Sequence, residues 1–375
     1  MNTQFKGKAR LRMWGTAAVG ALLACATGCG SGTSSAPQSN AGPQANVANP
    51  SGTGTDLAQT ATDFYKGKTL TIIVPYGPGG GYDQWARLIA PYLQKYLGLA
   101  KVDVQNVTGG GGLVGTNQLY SAKPDGLTIG DTNAGGDVFD QITHAPGVQF
   151  DVRKINWIGR PDHDPGMIVS RVGSAYKTFD DVLMAKNGHS TVRVVSDGVG
   201  DVHYFGALIA MNAFNTPFHM IAAYKDSSEL KAGFLRGDGD VVELSASDLM
   251  PMVQSGKAQV IAMQSQSRWS EMPNIPTLVE IAQKQGLSAD QVEVLKSVAG
   301  VFEMGHSFMA PQGVPADRLQ TLRDAFKKAV EDPDFQAAAK KANRYVGYAS
   351  PEELQQMANT ALANEAKYQP LLQTK

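Results

Sequence analysis

Three glycine-rich segments of the chain have the composition of anion-binding loops. They read "PYGPGGGYD" from Pro75, "TGGGGLVGTN" from Thr108 and "SDGVGDVHY" from Ser196. Each follows a short apolar run and precedes a stretch whose apolar residues have helical spacing. Glycines at such a turn leave backbone N–H groups exposed beside the positive end of a helix, which suits a carboxylate or phosphate oxygen. A tight turn without a ligand remains the alternative for each loop taken alone.

The first loop lacks the residues that a nucleotide site needs. A P-loop has a lysine and then Ser or Thr after its last glycine, whereas Tyr82 and Asp83 follow Gly81 here. The dinucleotide fingerprint GxGxxG lacks its third glycine in this segment. We therefore predict no nucleotide and no other cofactor, and Asp83 is also compatible with a cap on the following helix.

The third loop carries the residue types of a hydrolase triad, namely Ser196, Asp201 and His203. A nucleophile elbow has the form GxSxG with a central serine, and "VVSDG" does not match it. Hydrolysis by Ser196 and His203 is therefore the alternative to binding, and the prediction is that the protein is not an enzyme.

The segment "RPDHDPG" from Arg160 resembles a metal site, because it contains Asp162, His163 and Asp164. Adjacent residues on one short loop rarely converge on a single ion. We predict a turn or part of an interdomain crossover here, and no metal.

Strands and helices alternate along the chain around these loops. Apolar runs such as "LTIIVPY", "KVDVQNV", "TVRVV" and "GDVVELSA" predict strands, and helical patterns follow the glycine loops. Gly98 is a candidate C-cap of the first such helix, and Pro91 predicts a kink or break within it. The alternation predicts an α/β fold with mostly parallel sheets, whose ligands lie beyond the carboxyl ends of the strands.

The first 29 residues predict an export signal. Four basic residues precede a short apolar stretch from Met13 to Ala24, and the two cysteines of the chain, Cys25 and Cys29, follow it. Both cysteines fit a lipoprotein signal, and Cys29 is favoured because Gly30 begins a flexible segment. Signal cleavage without lipidation remains the alternative.

The composition of the remaining chain excludes several classes of protein. The 375 residues have a net charge of −1, and without the four basic residues of the signal this becomes about −5. A nucleic-acid partner is therefore not indicated. Residues 30–62 contain almost no charged or large apolar side chains, which predicts a disordered tether.

The whole pattern resembles one known family, the Bug-type solute receptors of tripartite tricarboxylate transporters. "VPYGPGGGYDQWAR" is similar to the family's first loop, and "QNVTGGGGLVGTN" is similar to its second. "KPDGLTI", "VVSDGVGDVHYFGALI", "AAYKDSSEL" and "MAPQGVPADRLQTL" continue the likeness in register. It spans residues 64–369, so it is specific as a whole although each motif is short.

The resemblance implies a two-lobe fold of the periplasmic-binding-protein type (type II). Each lobe would be a mostly parallel sheet flanked by helices, with the ligand in the cleft between the lobes. The implied divisions are residues 1–29 for the signal, 30–62 for the tether, 63–160 with 290–375 for lobe 1, and 161–289 for lobe 2. A monomer tethered by lipid at the extracytoplasmic face of the membrane, in the periplasm, is the implied state.

The resemblance also implies which residues bind the ligand. In lobe 1 they are Tyr76, Pro78, Gly79, Gly80, Tyr82, Asp83, Gly111, Gly112, Leu113, Thr132 and Asn133. In lobe 2 they are Ser196, Gly198, Val199, Gly200, Asp201, Tyr224 and Ser245. The chain departs from the family at Leu113, where Asn is frequent, and at Glu243, Leu244 and Ser245. Leu244 at this cleft edge would suit an aliphatic or aromatic tail better than an ammonium group.

The implied function is capture of a small organic carboxylate and its delivery to the membrane subunits of a transporter. Besides hydrolysis, a ligand-sensing subunit of a signalling receptor is a further alternative. The sequence does not identify the ligand.

Overall fold

The computed structural model describes residues 63–373, apart from 189, 197, 199, 200, 225 and 226. The predicted signal, the tether and both candidate lipidation cysteines lie outside these residues, and so do Val199 and Gly200. The described strands are β1 (Thr69–Val74), β2 (Lys101–Asn106), β3 (Thr128–Asn133), β4 (Asn156–Asp162), β5 (Gly166–Arg171), β6 (Val192–Val195), β7 (Phe218–Ile221), β8 (Val241–Ser245), β9 (Ala258–Gln264), β10 (His306–Ala310) and β11 (Val346–Ala349).

Helices connect most of these strands. They are α1 (Gly81–Leu97), α2 (Leu113–Tyr120), α3 (Ala134–Ile142), α4 (Phe179–Met184), α5 (Val202–Ala213), α6 (Ser227–Arg236), α7 (Ala246–Gln254), α8 (Leu278–Lys284), α9 (Ala289–Phe302), α10 (Ala316–Glu331), α11 (Pro333–Lys341), α12 (Pro351–Ala363) and α13 (Glu365–Tyr368). None of the helices in the described ranges is long and apolar enough to cross a membrane.

The strands form two separate sheets. The six-stranded sheet has the order β11-β4-β10-β3-β1-β2, and the five-stranded sheet has the order β7-β6-β8-β5-β9. The chain passes from the first sheet to the second after β4 and returns to the first at β10. The two-lobe α/β architecture predicted from the sequence is confirmed. The predicted residue boundaries of the lobes stay a prediction.

Both sheets are mixed, which differs from the predicted mostly parallel arrangement. β1 pairs in parallel with β2 and β3, whereas β10 runs antiparallel to both β3 and β4. In the second sheet β6 is parallel to β7 and β8, but β5 is antiparallel to β8 and β9. The reason lies in the crossings between the sheets, because β5 and β10 enter their sheets from the other lobe and not through a local β–α–β unit.

The first sheet is buried on both faces. Along β1, Ile72 packs into the cluster under α1 and α10, and Ile73 packs into the cluster under α3 and α12. The second cluster also contains Phe205 of α5 and Val298 of α9. The two lobes therefore share part of one apolar core beside the cleft.

Helix α1 positions the first glycine loop. Its buried residues include Trp85 and Ile89, four positions apart on one face, and Gly98 ends it with φ of 65°. The helix continues through Pro91 without the predicted break. Pro91 lies on the exposed face, where water can hydrate the carbonyl oxygen that loses its helical partner.

Candidate functional site

A cavity of about 820 Å³ lies between the carboxyl-end edges of the two sheets. Its wall includes the segments after β1, β2 and β3 in the first lobe and those after β6, β7 and β8 in the second. Strands β1 and β2 are paired in register to their last residues, Val74 and Asn106, so the first two glycine loops begin side by side. The volume is typical of a small-molecule site.

Twelve of the eighteen predicted binding residues line this cavity. They are Tyr76, Pro78, Gly79, Gly80, Tyr82, Gly111, Gly112, Asn133, Gly198, Asp201, Tyr224 and Ser245. Four others, Asp83, Leu113, Thr132 and Ser196, are described but are not part of the wall. The assignment of all eighteen to ligand binding stays a prediction.

Asp83 fixes the shape of the first loop. Its carboxylate accepts hydrogen bonds from the Gly79 N–H (2.8 Å), from Asn106 Nδ2 (3.0 Å) and from Arg87 Nε (2.9 Å). Burial alone would raise the pKa of Asp83, but the hydrogen bonds from Arg87, Gly79 and Asn106 outweigh it and lower the pKa below its ordinary value. The ionised Asp83 side chain therefore stabilises the conformation of the first glycine loop.

The other three predicted residues outside the wall contact the protein interior. Leu113 is half-buried and packs against the apolar cluster that the two lobes share. Thr132 is fully buried, and its hydroxyl contacts the Met309 sulfur. Ser196 is 1% exposed, and its Oγ has no hydrogen-bond partner among the described residues.

The second loop requires glycine for close contact with the first. Gly112 has φ of 113°, and a Cβ there would lie 3.0 Å from the Tyr76 hydroxyl oxygen. A Cβ on Gly115 would lie 2.7 Å from the Pro75 Cα. The Tyr76 hydroxyl donates to the Gly111 carbonyl oxygen at 3.0 Å, which joins the two loops directly. The run of glycines thus brings two exposed backbones together at one wall.

Aromatic rings form the floor of the first-lobe wall. Tyr76 and Tyr82 are stacked with centroids 4.7 Å apart, and Tyr82 lies 4.5 Å from the His306 ring. Burial raises the pKa of both tyrosines well above the ordinary value, with a further contribution from nearby acidic groups. These phenols are therefore neutral hydrogen-bonding groups at physiological pH.

His306 is held by a buried carboxylate. Its Nδ1 lies 2.8 Å from Asp162 Oδ2. Burial would raise the pKa of Asp162, but His306 and Arg160 outweigh this and lower it. The sequence predicts a turn or part of a crossover at Asp162, and in the structure Asp162 ends β4 at the passage between the sheets. In the described part of the chain, no group of three potential metal ligands converges on one point.

Asp201 and Asn133 face each other from opposite lobes. Asp201 caps α5 by accepting the His203 N–H at 2.8 Å, and its Oδ2 lies 3.4 Å from Asn133 Nδ2. The same Asn133 nitrogen is 3.1 Å from the Tyr76 hydroxyl oxygen. A polar network thus spans the cleft from the first glycine loop to the third.

Arg344 is a cavity residue that sequence reasoning missed. Among the described residues that line the cavity, it is the one lysine or arginine. Its guanidinium donates to Gln84 Oε1 in the first lobe (2.6 Å) and to Ser247 Oγ in the second (3.1 Å). Gln84 in turn donates to the Gly79 carbonyl oxygen at 2.7 Å. No motif marks Arg344, since it lies in the short turn between α11 and β11, 260 residues from Gln84.

Ser247 continues this chain of hydrogen bonds into the second lobe. Both its N–H (2.8 Å) and its hydroxyl donate to Asp164. Burial raises the pKa of Asp164 to about 6, and the negative charge of Asp162 acts in the same direction. Asp164 therefore lies in the cavity wall but is engaged by protein groups.

A family model and individual protein sequences both match most of this chain. The family model described as tripartite tricarboxylate transporter family receptor matches residues 85–374. A UPF0065 protein in the tcbD-tcbE intergenic region of Pseudomonas sp. (strain P51) is 27% identical over 304 residues, which cover 78% of this chain and 82% of that protein.

Solved structures show the same fold. The periplasmic binding protein BugD has a TM-score of 0.64 at 24% identity, covering 80% of this chain and 96% of its own. MatC from Rhodopseudomonas palustris, with bound malate, has a TM-score of 0.62 at 19% identity, covering 82% of this chain and 99% of its own.

Proposed function

This chain belongs to the tripartite tricarboxylate transporter receptor family, and we propose on that premise that it binds a small organic carboxylate in the cleft and delivers it to membrane subunits of such a transporter. The observation that carries the proposal is the convergence of two glycine loops and the start of α1 on one cavity. An extracytoplasmic location with a lipid-anchored N-terminus, and action as a monomer, belong to the same proposal.

Backbone amides are the groups that receive the ligand's carboxylate. The first-turn N–H groups of a helix have no partner within the helix, and Gly80, Gly81 and Tyr82 at the start of α1 all line the cavity. The positive end of the α1 dipole favours an anion at this position. Arg344 adds a full positive charge to the wall, and its partner Gln84 holds the Gly79 carbonyl oxygen by a hydrogen bond.

The rest of the ligand contacts a largely apolar part of the wall. Val202, Leu244, Val301 and Phe302 line this side, together with Tyr224 and Ser245. Such a surface suits an aliphatic or aromatic tail because it removes apolar area from water. Closure of the lobes about the ligand then completes the contacts from both sides.

Binding without chemistry fits the site better than hydrolysis. The candidate nucleophile Ser196 is buried outside the cavity wall, whereas His203 lies in the wall. A nucleophile must reach both its base and the substrate. No observation in the described residues favours a sensory role over transport.

We expect carboxylates to raise the Tm of the protein without being consumed. Malate, adipate, benzoate and nicotinate are the first probes, and a saturating ligand is expected to raise the Tm by on the order of several degrees. Adipamide is the matched control, because it keeps the length of adipate and lacks its charge. The proposal would be contradicted by an equal rise in Tm with adipamide or by no rise in Tm with any carboxylate. Ester hydrolysis that Ser196→Ala abolishes would also contradict it.

A further inference from the structure

A carboxyl group of the protein already occupies the second-lobe wall opposite the amides assigned to the ligand. Asp201 lies at the start of α5, and Asn133 and Tyr76 connect it across the cleft to the first glycine loop. Its Oδ1 accepts the His203 N–H, and its Oδ2 points to the first lobe. A ligand carboxylate on those amides would share the cavity with this second carboxyl group.

The ionisable side chains packed around Asp201 are mostly carboxyl groups and phenols. From the first lobe it faces the phenols of Tyr76 and Tyr82 and the carboxyl of Asp140 on α3. From the second lobe it faces Glu243 on β8 and Asp248 on α7, the latter paired with Lys231 of α6, as well as His203 of its own helix. Within the described ranges, no lysine or arginine forms an ion pair with Asp201. Its surroundings are thus predominantly acidic or neutral.

Two carboxylates in direct contact cannot both stay ionised in a buried site. Asp201 is the partner that accepts a proton more readily, because burial already raises its pKa to about 6 against the opposing effect of hydrogen bonds from the backbone of His203, Tyr204 and Val202. A carboxylate ligand keeps the contacts to loop amides that favour its ionised form. The proton therefore goes to Asp201.

We propose that Asp201 contacts the ligand's carboxylate as a neutral carboxylic acid and donates its proton in that hydrogen bond, so that one proton from solvent is taken up with each carboxylate bound. The proposal rests on the proposed function and adds, for the predicted binding residue Asp201, its protonation state and its role as a hydrogen-bond donor to the ligand. It makes Asp201 a determinant of specificity, since the neutral acid favours an anionic group and the ionised form would favour a cationic one.

The sign of the pH dependence follows from linkage. Binding raises the pKa of Asp201 above its ligand-free value of about 6, so protons are taken up at any pH between the two values. Affinity for the carboxylate is expected to rise as the pH falls from 8.5 to 6.5, by up to about tenfold per unit. Most carboxylic acids stay ionised over this range, so the ligand's own titration contributes little.

Titration calorimetry of the full chain with malate and with adipate tests the proposal. At pH 7, in buffers of different ionisation enthalpy, the expected result is uptake of close to one proton per ligand. Asp201→Asn, which keeps an N-cap oxygen and the shape of the neutral acid, is expected to bind with no proton uptake and with affinity independent of pH. Asp201→Ser is the second variant, and melting curves check that both fold.

Asp332→Asn is the matched control, because Asp332 is also a buried helix N-cap, at α11 and outside the cavity. It is expected to keep the proton uptake of the parent protein. Three results would overturn the inference: carboxylate binding without proton uptake, release of protons on binding, or proton uptake that both Asp201 variants retain. Retained uptake would assign the proton to another acid such as Asp164. If no carboxylate binds at any pH, the proposed function fails as well, which is a separate and distinguishable result.

Discussion

Replacement of Arg344 by alanine is expected to weaken carboxylate binding by about 10- to 100-fold. One charge-assisted interaction with the ligand's carboxylate contributes about 1.5–3 kcal/mol, and Arg344 also holds Gln84 and Ser247, one in each lobe. The change also removes the positive charge of the cavity wall. Titration calorimetry with the carboxylate that gives the largest thermal shift measures the effect as a ratio of Kd values.

Two further variants make this test specific. Arg344→Lys keeps the charge but lacks the planar fork that reaches Gln84 and Ser247 together, so an intermediate loss of affinity is expected. Arg153→Ala removes an exposed arginine that pairs with Asp151 outside the cavity and is expected to leave the Kd unchanged. An Arg344→Ala Kd within twofold of the parent value would show that Arg344 does not contribute to binding.

Replacement of Gly115 by alanine is expected to lower the free energy of unfolding by about 1–3 kcal/mol. The added Cβ would lie 2.7 Å from the Pro75 Cα and 2.8 Å from the Val107 carbonyl oxygen. Both neighbours are backbone atoms, so a side-chain rotation cannot relieve the contact. The two glycine loops must separate, and the carboxylate-dependent rise in Tm is expected to disappear with them.

Gly77→Ala is the control for this substitution. Gly77 lies in the first loop, and a Cβ there would meet nothing within 4 Å. Its free energy of unfolding, measured by chemical denaturation, is expected to stay within about 0.5 kcal/mol of the parent value. A Gly115→Ala protein as stable as the Gly77→Ala protein would contradict the described packing of the two loops.

Local patterns were sufficient to predict the elements that carry the first two loops. The apolar run before Pro75 is β1, the stripe with Trp85 and Ile89 is α1, and Gly98 ends that helix as expected. These features depend on residues that are close in sequence, so local sequence patterns are enough to predict them.

The mixed sheets and Arg344 depend on contacts between distant parts of the chain. β10 inserts between β3 and β4 from more than 140 residues away, and no local periodicity specifies that pairing or its direction. Arg344 reaches the cleft because β11 joins the edge of the first sheet beside β4. Asp83 shows the converse case. It is close in sequence to the predicted binding loop, but its carboxylate accepts the Gly79 N–H and is buried outside the cavity wall.

Amide spectra of the protein labelled with [15N]glycine test the central claim most directly, because that claim places the ligand's carboxylate on glycine N–H groups. During titration with malate or adipate, we predict saturable shifts that are largest for Gly80, Gly81 and Gly111, because the N–H groups of Gly79 and Gly112 are already bonded to Asp83 and to the Gly109 carbonyl oxygen. Gly67, Gly256 and Gly286, which lie outside the cavity wall, are expected to move little. Saturable binding whose largest shifts fall on glycines outside the cavity would contradict the account.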